Sequence, residues 1–154
     1  MHMTDRKNEV IIYTDGACLG NPGPGGYGVV LKYGEKEKEL SGCERLTTNN
    51  RMELTGVIVG LKTLNRPCSV TLYSDSKYVV DMVEKGWLTR WKANGWMRNK
   101  SEPAKNVDLL EELLHQLNRH QVRFVWVKGH ADNPYNNRCD ALAVAAAESC
   151  RAKG

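Results

Sequence analysis

No run of apolar residues approaches the ~18 that a membrane span requires. The first eight residues lack the apolar middle of a signal peptide. A soluble, cytoplasmic protein with no membrane partner is therefore expected. Cysteine is also sparse. Cys18, Cys43, Cys68, Cys139 and Cys150 are odd in number, far apart, and form no C-x-x-C pair. That argues against a disulfide framework or a structural zinc site and in favour of reduced thiols. Repeats, low-complexity stretches and internal linkers are missing as well. The expected organisation is an N-terminal extension over 1–8, flexible in its polarity, one domain over 9–150, and a short tail over 151–154. The formal net charge of +4 is compatible with a polyanionic partner without demanding one.

What is present reads as strands followed by strands alternating with helices. Residues 10–14 are a β-prone run ending at Asp15-Gly16, and the Gly/Pro-rich turn Gly20-Asn21-Pro22-Gly23-Pro24-Gly25-Gly26 follows. Residues 27–33 and 37–42 complete an expected antiparallel meander. From 50 to 64, Met52, Leu54, Val57, Ile58, Leu61 and Leu64 recur at helical spacing behind the capping residues Thr47, Thr48 and Asn49. A strand over 69–74 ends at Asp75, and a helix runs from there to about 85. Residues 87–105 look irregular, with Trp87, Trp91 and Trp96 set among cations. A helix over 107–120, a strand over 122–127 and an alanine-rich helix over 137–150 close the chain. The order points to an α/β fold, a mixed sheet covered by helices.

Two of these strands end alike, in Thr14-Asp15 and Ser74-Asp75, where open α/β sheets hold their ligands. Glu53 and Asp140 lie near the starts of two helices. Each acid alone is explained by capping or by the helix dipole. Together they raise a different possibility. Two like charges ~4 Å apart repel by roughly 4 kcal/mol at an effective dielectric of 20, so a converging set needs cations. Oxygen-only donors select Mg²⁺ or Mn²⁺ over zinc, and two such ions suit in-line phosphoryl displacement.

The motifs are more specific than the periodicity. The segments Tyr13-Thr14-Asp15-Gly16-Ala17-Cys18, Thr47-Thr48-Asn49-Asn50-Arg51-Met52-Glu53-Leu54, Tyr73-Ser74-Asp75-Ser76, Trp126-Val127-Lys128-Gly129-His130-Ala131 and Arg138-Cys139-Asp140 occur in that order. With them the chain resembles the type 1 ribonuclease H family, in its bacterial stand-alone form, over nearly its whole length. The resemblance implies an RNase H-like fold, a five-stranded mixed sheet flanked by helices. It implies an endonuclease that hydrolyses the RNA strand of RNA–DNA hybrids with two Mg²⁺ ions, Mn²⁺ substituting, and leaves 5′-phosphate and 3′-hydroxyl ends. The metal ligands then fall on Asp15, Glu53, Asp75 and Asp140. His130 becomes a loop histidine suited to proton transfer or product release, its ordinary pKa lying near 6.5.

The same resemblance places Cys18, Asn21, Asn49 and Asn50 in the minor groove of the hybrid, where the 2′-hydroxyls are read, and Thr48 on a DNA-strand phosphate. Capping by Thr47–Asn50 is compatible with that role. Residues 87–105 fall on the family's basic protrusion, which grips DNA. Here its densest basic run is thinned to Lys92-Ala93-Asn94. Lys92 is a candidate phosphate contact, while Trp91 and Trp96 are expected to be mainly structural, with base stacking as a second role. A weaker grip on the hybrid than in a fully basic relative follows. Lys77, in place of a neutral amide, adds a candidate phosphate contact. A small domain of this kind is expected to act as a monomer. Two other readings compete. A junction-resolvase or integrase core would lack the Thr48–Arg51 and Lys128–His130 motifs, and a binding module with a dead site would not fill all four acidic positions.

Overall fold

The unbroken apolar run Val10-Ile11-Ile12-Tyr13 drives the first strand into a sheet with both faces covered. The computed structural model describes residues 9–128 and 133–153. Its five strands are β1 (Glu9–Cys18), β2 (Gly23–Tyr33), β3 (Lys36–Thr47), β4 (Ser69–Ser74) and β5 (Gln121–Trp126), in the spatial order β3-β2-β1-β4-β5. β1 pairs antiparallel with β2 and parallel with β4, and β5 is parallel to β4. The expected mixed five-stranded sheet is therefore present.

Successive residues of a strand face opposite sides, and the core divides accordingly. Ile12, Val29, Leu72 and Phe124 meet one group of helices: α1 (Asn49–Thr63), α2 (Lys77–Glu84), α3 (Trp87–Ala93) and α4 (Val107–Arg119). Tyr13 and Val30, one residue further along, meet α5 (Pro134–Lys153) through Cys139. α1 begins where Thr48 Oγ1 accepts the backbone N–H of Arg51 at 3.3 Å. Arg51 then ties α1 to α4 through Asp108, at 2.7 Å.

α5 approaches the sheet more closely than ordinary side chains permit. A Cβ at Gly28 would lie 2.3 Å from the Cys139 carbonyl oxygen, and one at Gly26 would lie 2.4 Å from that of Ala143. Burial pushes the Cys139 thiol up to about 12. It therefore stays protonated and donates to the Tyr13 carbonyl at 3.2 Å.

Three expectations are corrected. Cys43 and Cys150 form a disulfide that joins β3 to the last turn of α5, while Cys18, Cys68 and Cys139 are free. Spacing gave no hint of it, because only the packing of α5 on the sheet brings positions 107 residues apart to a Cα separation of 6.0 Å. Residues 87–93 are helical rather than irregular. Gly86 takes the left-handed conformation, φ 76°, which turns the chain after α2 and lets a new helix start. β1 also continues past Asp15 to Cys18, because its antiparallel pairing with β2 persists after the parallel ladder to β4 stops at Thr14–Ser74.

Candidate active site

The parallel register fixes two acids side by side. Tyr13 is opposite Tyr73 and Thr14 opposite Ser74, so the residues that follow, Asp15 and Asp75, emerge together where the parallel ladder between β1 and β4 stops. The Tyr13 and Tyr73 rings stack with centroids 5.0 Å apart, which supports that register from the side chains. Asp75 is fixed locally. Ser76, the N-cap of α2, accepts from the Val79 N–H at 3.3 Å, and the Trp126 indole N–H donates to the Asp75 carbonyl at 3.2 Å.

Glu53 arrives from the first turns of α1, and Gly16 sets how near it comes. A Cβ on Gly16 would lie 2.6 Å from the Glu53 backbone nitrogen and 2.7 Å from the Met52 carbonyl carbon. Backbone cannot yield as a flexible side chain does. Gly16→Ala is expected to destabilise the protein by about 1–3 kcal/mol, the usual cost of overpacking, and to weaken Mn²⁺ binding by moving Glu53. Calorimetric titration of the variant beside a thermal melt checks this, and unchanged Mn²⁺ affinity would refute the placement.

Asp15, Glu53 and Asp75 each present a carboxylate oxygen to a group whose atoms all lie within 4.8 Å of one another. Asp15 is 3% exposed and Glu53 5%. Burial, and then the neighbouring Asp75 charge, push the Asp15 carboxyl up to about 8. Burial likewise holds Glu53 well above the ordinary carboxylate range, with the Asp15 and Asp75 charges adding to it. Asp140, on α5, stands outside the tight group of three, yet its charge raises both Asp15 and Glu53. Asp15 Oδ2 and Glu53 Oε1 are buried and accept no hydrogen bond. Orphaned acceptors in an oxygen-only set that repels itself fit a hard divalent cation.

The remaining sequence-derived candidates divide by place. Asn21 Oδ1 accepts from the Asn49 backbone N–H at 2.8 Å, joining the Gly/Pro turn to the start of α1. The Cys18 thiol donates to the Thr47 carbonyl at 3.4 Å, and Asn50 is exposed beside them. These residues form one surface with Thr48. Lys77 is exposed next to Asp75, its ammonium 4.9 Å from the Trp126 ring centroid. Trp91 stacks on Trp87 at 6.3 Å, and both Trp91 and Trp96 pack against the core, as expected of structural residues. Lys92 is exposed on α3. His130 lies outside the described residues. Trp126 was not singled out from the sequence. Its signal was available in its position at the end of β5, level with Ser74 in the parallel register.

Comparisons with known proteins agree with this fold. The RNase H family profile matches residues 7–148. A ribonuclease H from Syntrophus aciditrophicus (strain SB) is 64% identical over 143 residues, 93% of this chain and 83% of that protein. A ribonuclease HI from Synechocystis sp. is 56% identical over 145 residues, 94% of this chain and 91% of the relative. Among solved structures, LC9-RNase H1, a type 1 RNase H with the type 2 active-site motif, superposes with a TM-score of 0.82 at 34% identity, covering 93% of this chain and 74% of that one. LC11-RNase H1 in complex with an RNA/DNA hybrid, at 24% identity and TM-score 0.71 over 92% of this chain and 99% of that one, shares the fold. With five strands in this order and relatives of this identity along almost its full length, the chain belongs to the RNase H family, as a ribonuclease HI of the bacterial type.

Proposed function

We propose that this ribonuclease H hydrolyses the RNA strand of RNA–DNA hybrids endonucleolytically at the Asp15–Glu53–Asp75 group, leaving 5′-phosphate and 3′-hydroxyl ends. The observation that carries the reading is the meeting of three carboxylates within 4.8 Å, with buried, unpartnered oxygens on two of them. Asp15, Glu53, Asp75 and Asp140 would hold two Mg²⁺ ions, or Mn²⁺ in their place, which would supply charge neutralisation at the scissile phosphate and a water activated near neutral pH.

The chain's own groups do the rest. Burial and the neighbouring charges hold Asp15 and Glu53 above the ordinary carboxylate range, so metal binding there is coupled to proton release. Cys18, Asn21, Asn49 and Asn50 would line the minor groove and read 2′-hydroxyls, while Thr48 meets a DNA-strand phosphate. Lys77 and Lys92 would contact phosphates, and Trp91 and Trp96 would support the protrusion that carries Lys92. His130 would move a proton or assist product release. A monomer built on one domain over 9–150, acting in the cytoplasm, fits this reading, and no helix among the described residues is long and apolar enough to cross a membrane.

The test uses a hybrid with a labelled RNA strand, beside the same RNA alone and a DNA–DNA duplex. Mg²⁺-dependent cutting confined to the hybrid is expected, with products that a polymerase extends directly from their 3′ ends. Cutting of the DNA duplex while the hybrid stays whole would overturn the proposal, as would cutting that persists in a chelator.

A further inference from the structure

α5 delivers Asp140, yet its main contact with the sheet is smooth. Ala143 and Ala147 lie against Gly26, and Cys139 against Gly28. Small residues on glycine allow close approach but present few side chains to interlock, so the placement of the helix depends on contacts elsewhere, the Cys43–Cys150 bond at its last turn among them. A fixed point is found at the first turn. Asn133 Oδ1 accepts from the backbone N–H of Tyr135 at 3.0 Å and of Asn136 at 3.2 Å. The Tyr135 ring stacks on Tyr13, centroids 4.7 Å apart and planes 19° from parallel, and Tyr13 in turn stacks on Tyr73.

Cations hold the outer side of that ring. Lys32 Nζ is 4.3 Å from the Tyr135 centroid and donates to its hydroxyl at 3.0 Å. The hydroxyl donates to Glu37 Oε2 at 3.2 Å. Arg138 lies 5.5 Å from the same centroid and pairs with Glu37 at 3.0 Å and Glu39 at 2.7 Å. One turn on from Tyr135, Cys139 donates to the carbonyl of Tyr13. Two contacts of the first turns of α5 therefore converge on Tyr13, the residue two places before Asp15, and Asp140 directly follows the second of them.

We propose that Tyr135 is a positioning residue for the metal site: the three-ring stack Tyr73–Tyr13–Tyr135 fixes the first turn of α5 and so sets the distance of the Asp140 carboxylate from Asp15, Glu53 and Asp75. The inference rests on the reading of Asp140 as a metal ligand. The stack also links the two strands that carry Asp15 and Asp75 to the helix that carries Asp140, so one aromatic column registers three of the four acids.

The experiment compares wild type, Tyr135→Leu, Tyr135→Phe and Asp140→Asn, with Tyr135→Met in place of the leucine variant if that one does not fold. Mn²⁺ binding to the substrate-free protein is measured by calorimetry, kcat and KM on a hybrid at a fixed Mn²⁺ concentration, and melting in chelator. Tyr135→Leu is expected to weaken Mn²⁺ binding and lower kcat by roughly tenfold or more, the scale on which groups supporting metal ligands act, with KM for the hybrid unchanged. Tyr135→Phe keeps the stack and is expected to match wild type. A lowered melting temperature alone, with wild-type Mn²⁺ affinity and kcat in Tyr135→Leu while Asp140→Asn loses both, overturns the proposal. If Asp140→Asn itself binds Mn²⁺ as wild type does, the ligand reading falls, and the positioning role falls with it.

Discussion

Asp15→Asn is expected to abolish hybrid cleavage in Mg²⁺ while making the metal-free protein more stable than wild type at pH 8. The first effect follows from removing a ligand at the centre of the acidic group. Several kcal/mol of transition-state charge stabilisation depend on the bound cations, and each ~1.4 kcal/mol is tenfold, so a loss of about 10³-fold is the expected scale. The second effect follows from linkage. In the folded protein Asp15 keeps its proton up to about 8, whereas an unfolded aspartate releases it near ~3.9. Between those values the folded state binds more protons, so stability falls as pH rises through the window. Asparagine does not titrate and escapes that loss. Wild type and variant should melt nearly together at pH 4, where Asp15 is protonated in the folded chain and about half protonated in the unfolded one, and diverge towards pH 8. A difference of a few kcal/mol would move the midpoint by about 10 °C in a protein of this size. Mg²⁺ should reverse the order by stabilising wild type alone. Melts at pH 4, 6 and 8, in chelator and in Mg²⁺, decide it, and a variant less stable than wild type at pH 8 in chelator would contradict the electrostatic account.

Reduction of the Cys43–Cys150 bond should produce the largest purely structural effect. The bond closes a loop of 107 residues, and a cross-link of that span removes about 4–5 kcal/mol of unfolded-chain entropy in the loop-closure treatment, with 2–4 more typical. A fall of about 10 °C in melting temperature is the corresponding shift. Cys43→Ser should melt low with or without reductant, and wild type should join it only when reduced. Cleavage at 25 °C should not change, since Cys150 lies ten residues beyond Asp140, about 15 Å along the helix. Identical melts for oxidised and reduced wild type would show that the bond contributes nothing.

Much of the fold was legible because local chemistry and global packing agree. Met52, Leu54, Val57, Ile58 and Leu61 announce α1 by their spacing and are all buried in the core or at its edge. The shared pattern of an apolar run, a hydroxyl residue and an aspartate at Thr14-Asp15 and Ser74-Asp75 foreshadows the neighbouring acids that the parallel register delivers. What was not legible depends on partners distant in sequence. β3 extends to Thr47, beyond the 37–42 expected, because β2 offers Gly23 to Gly28 as partners. α5 starts at Pro134 rather than 137 because Asn133 caps it. The disulfide and the Tyr13–Tyr135 stack join residues more than 100 positions apart, and no local pattern encodes either. The acids showed a similar limit. Each had a satisfactory capping explanation by itself, and only the ordered motifs suggested that they meet.

The strand order has a consequence for behaviour in concentrated solution. Among the described residues, β3 and β5 are the outermost strands, each with one row of backbone groups that no other strand of the sheet pairs. Such rims are templates for fibril growth unless something blunts them. Lys36, Glu37, Lys38 and Glu39 stud the first rim, all exposed. Two copies meeting there in parallel and in register would set lysine against lysine and glutamate against glutamate, which disfavours the pairing. The second rim is six residues long and carries exposed Arg123. The first rim therefore disfavours the parallel, in-register stacking of fibrils by repulsion, and the second offers only a short template.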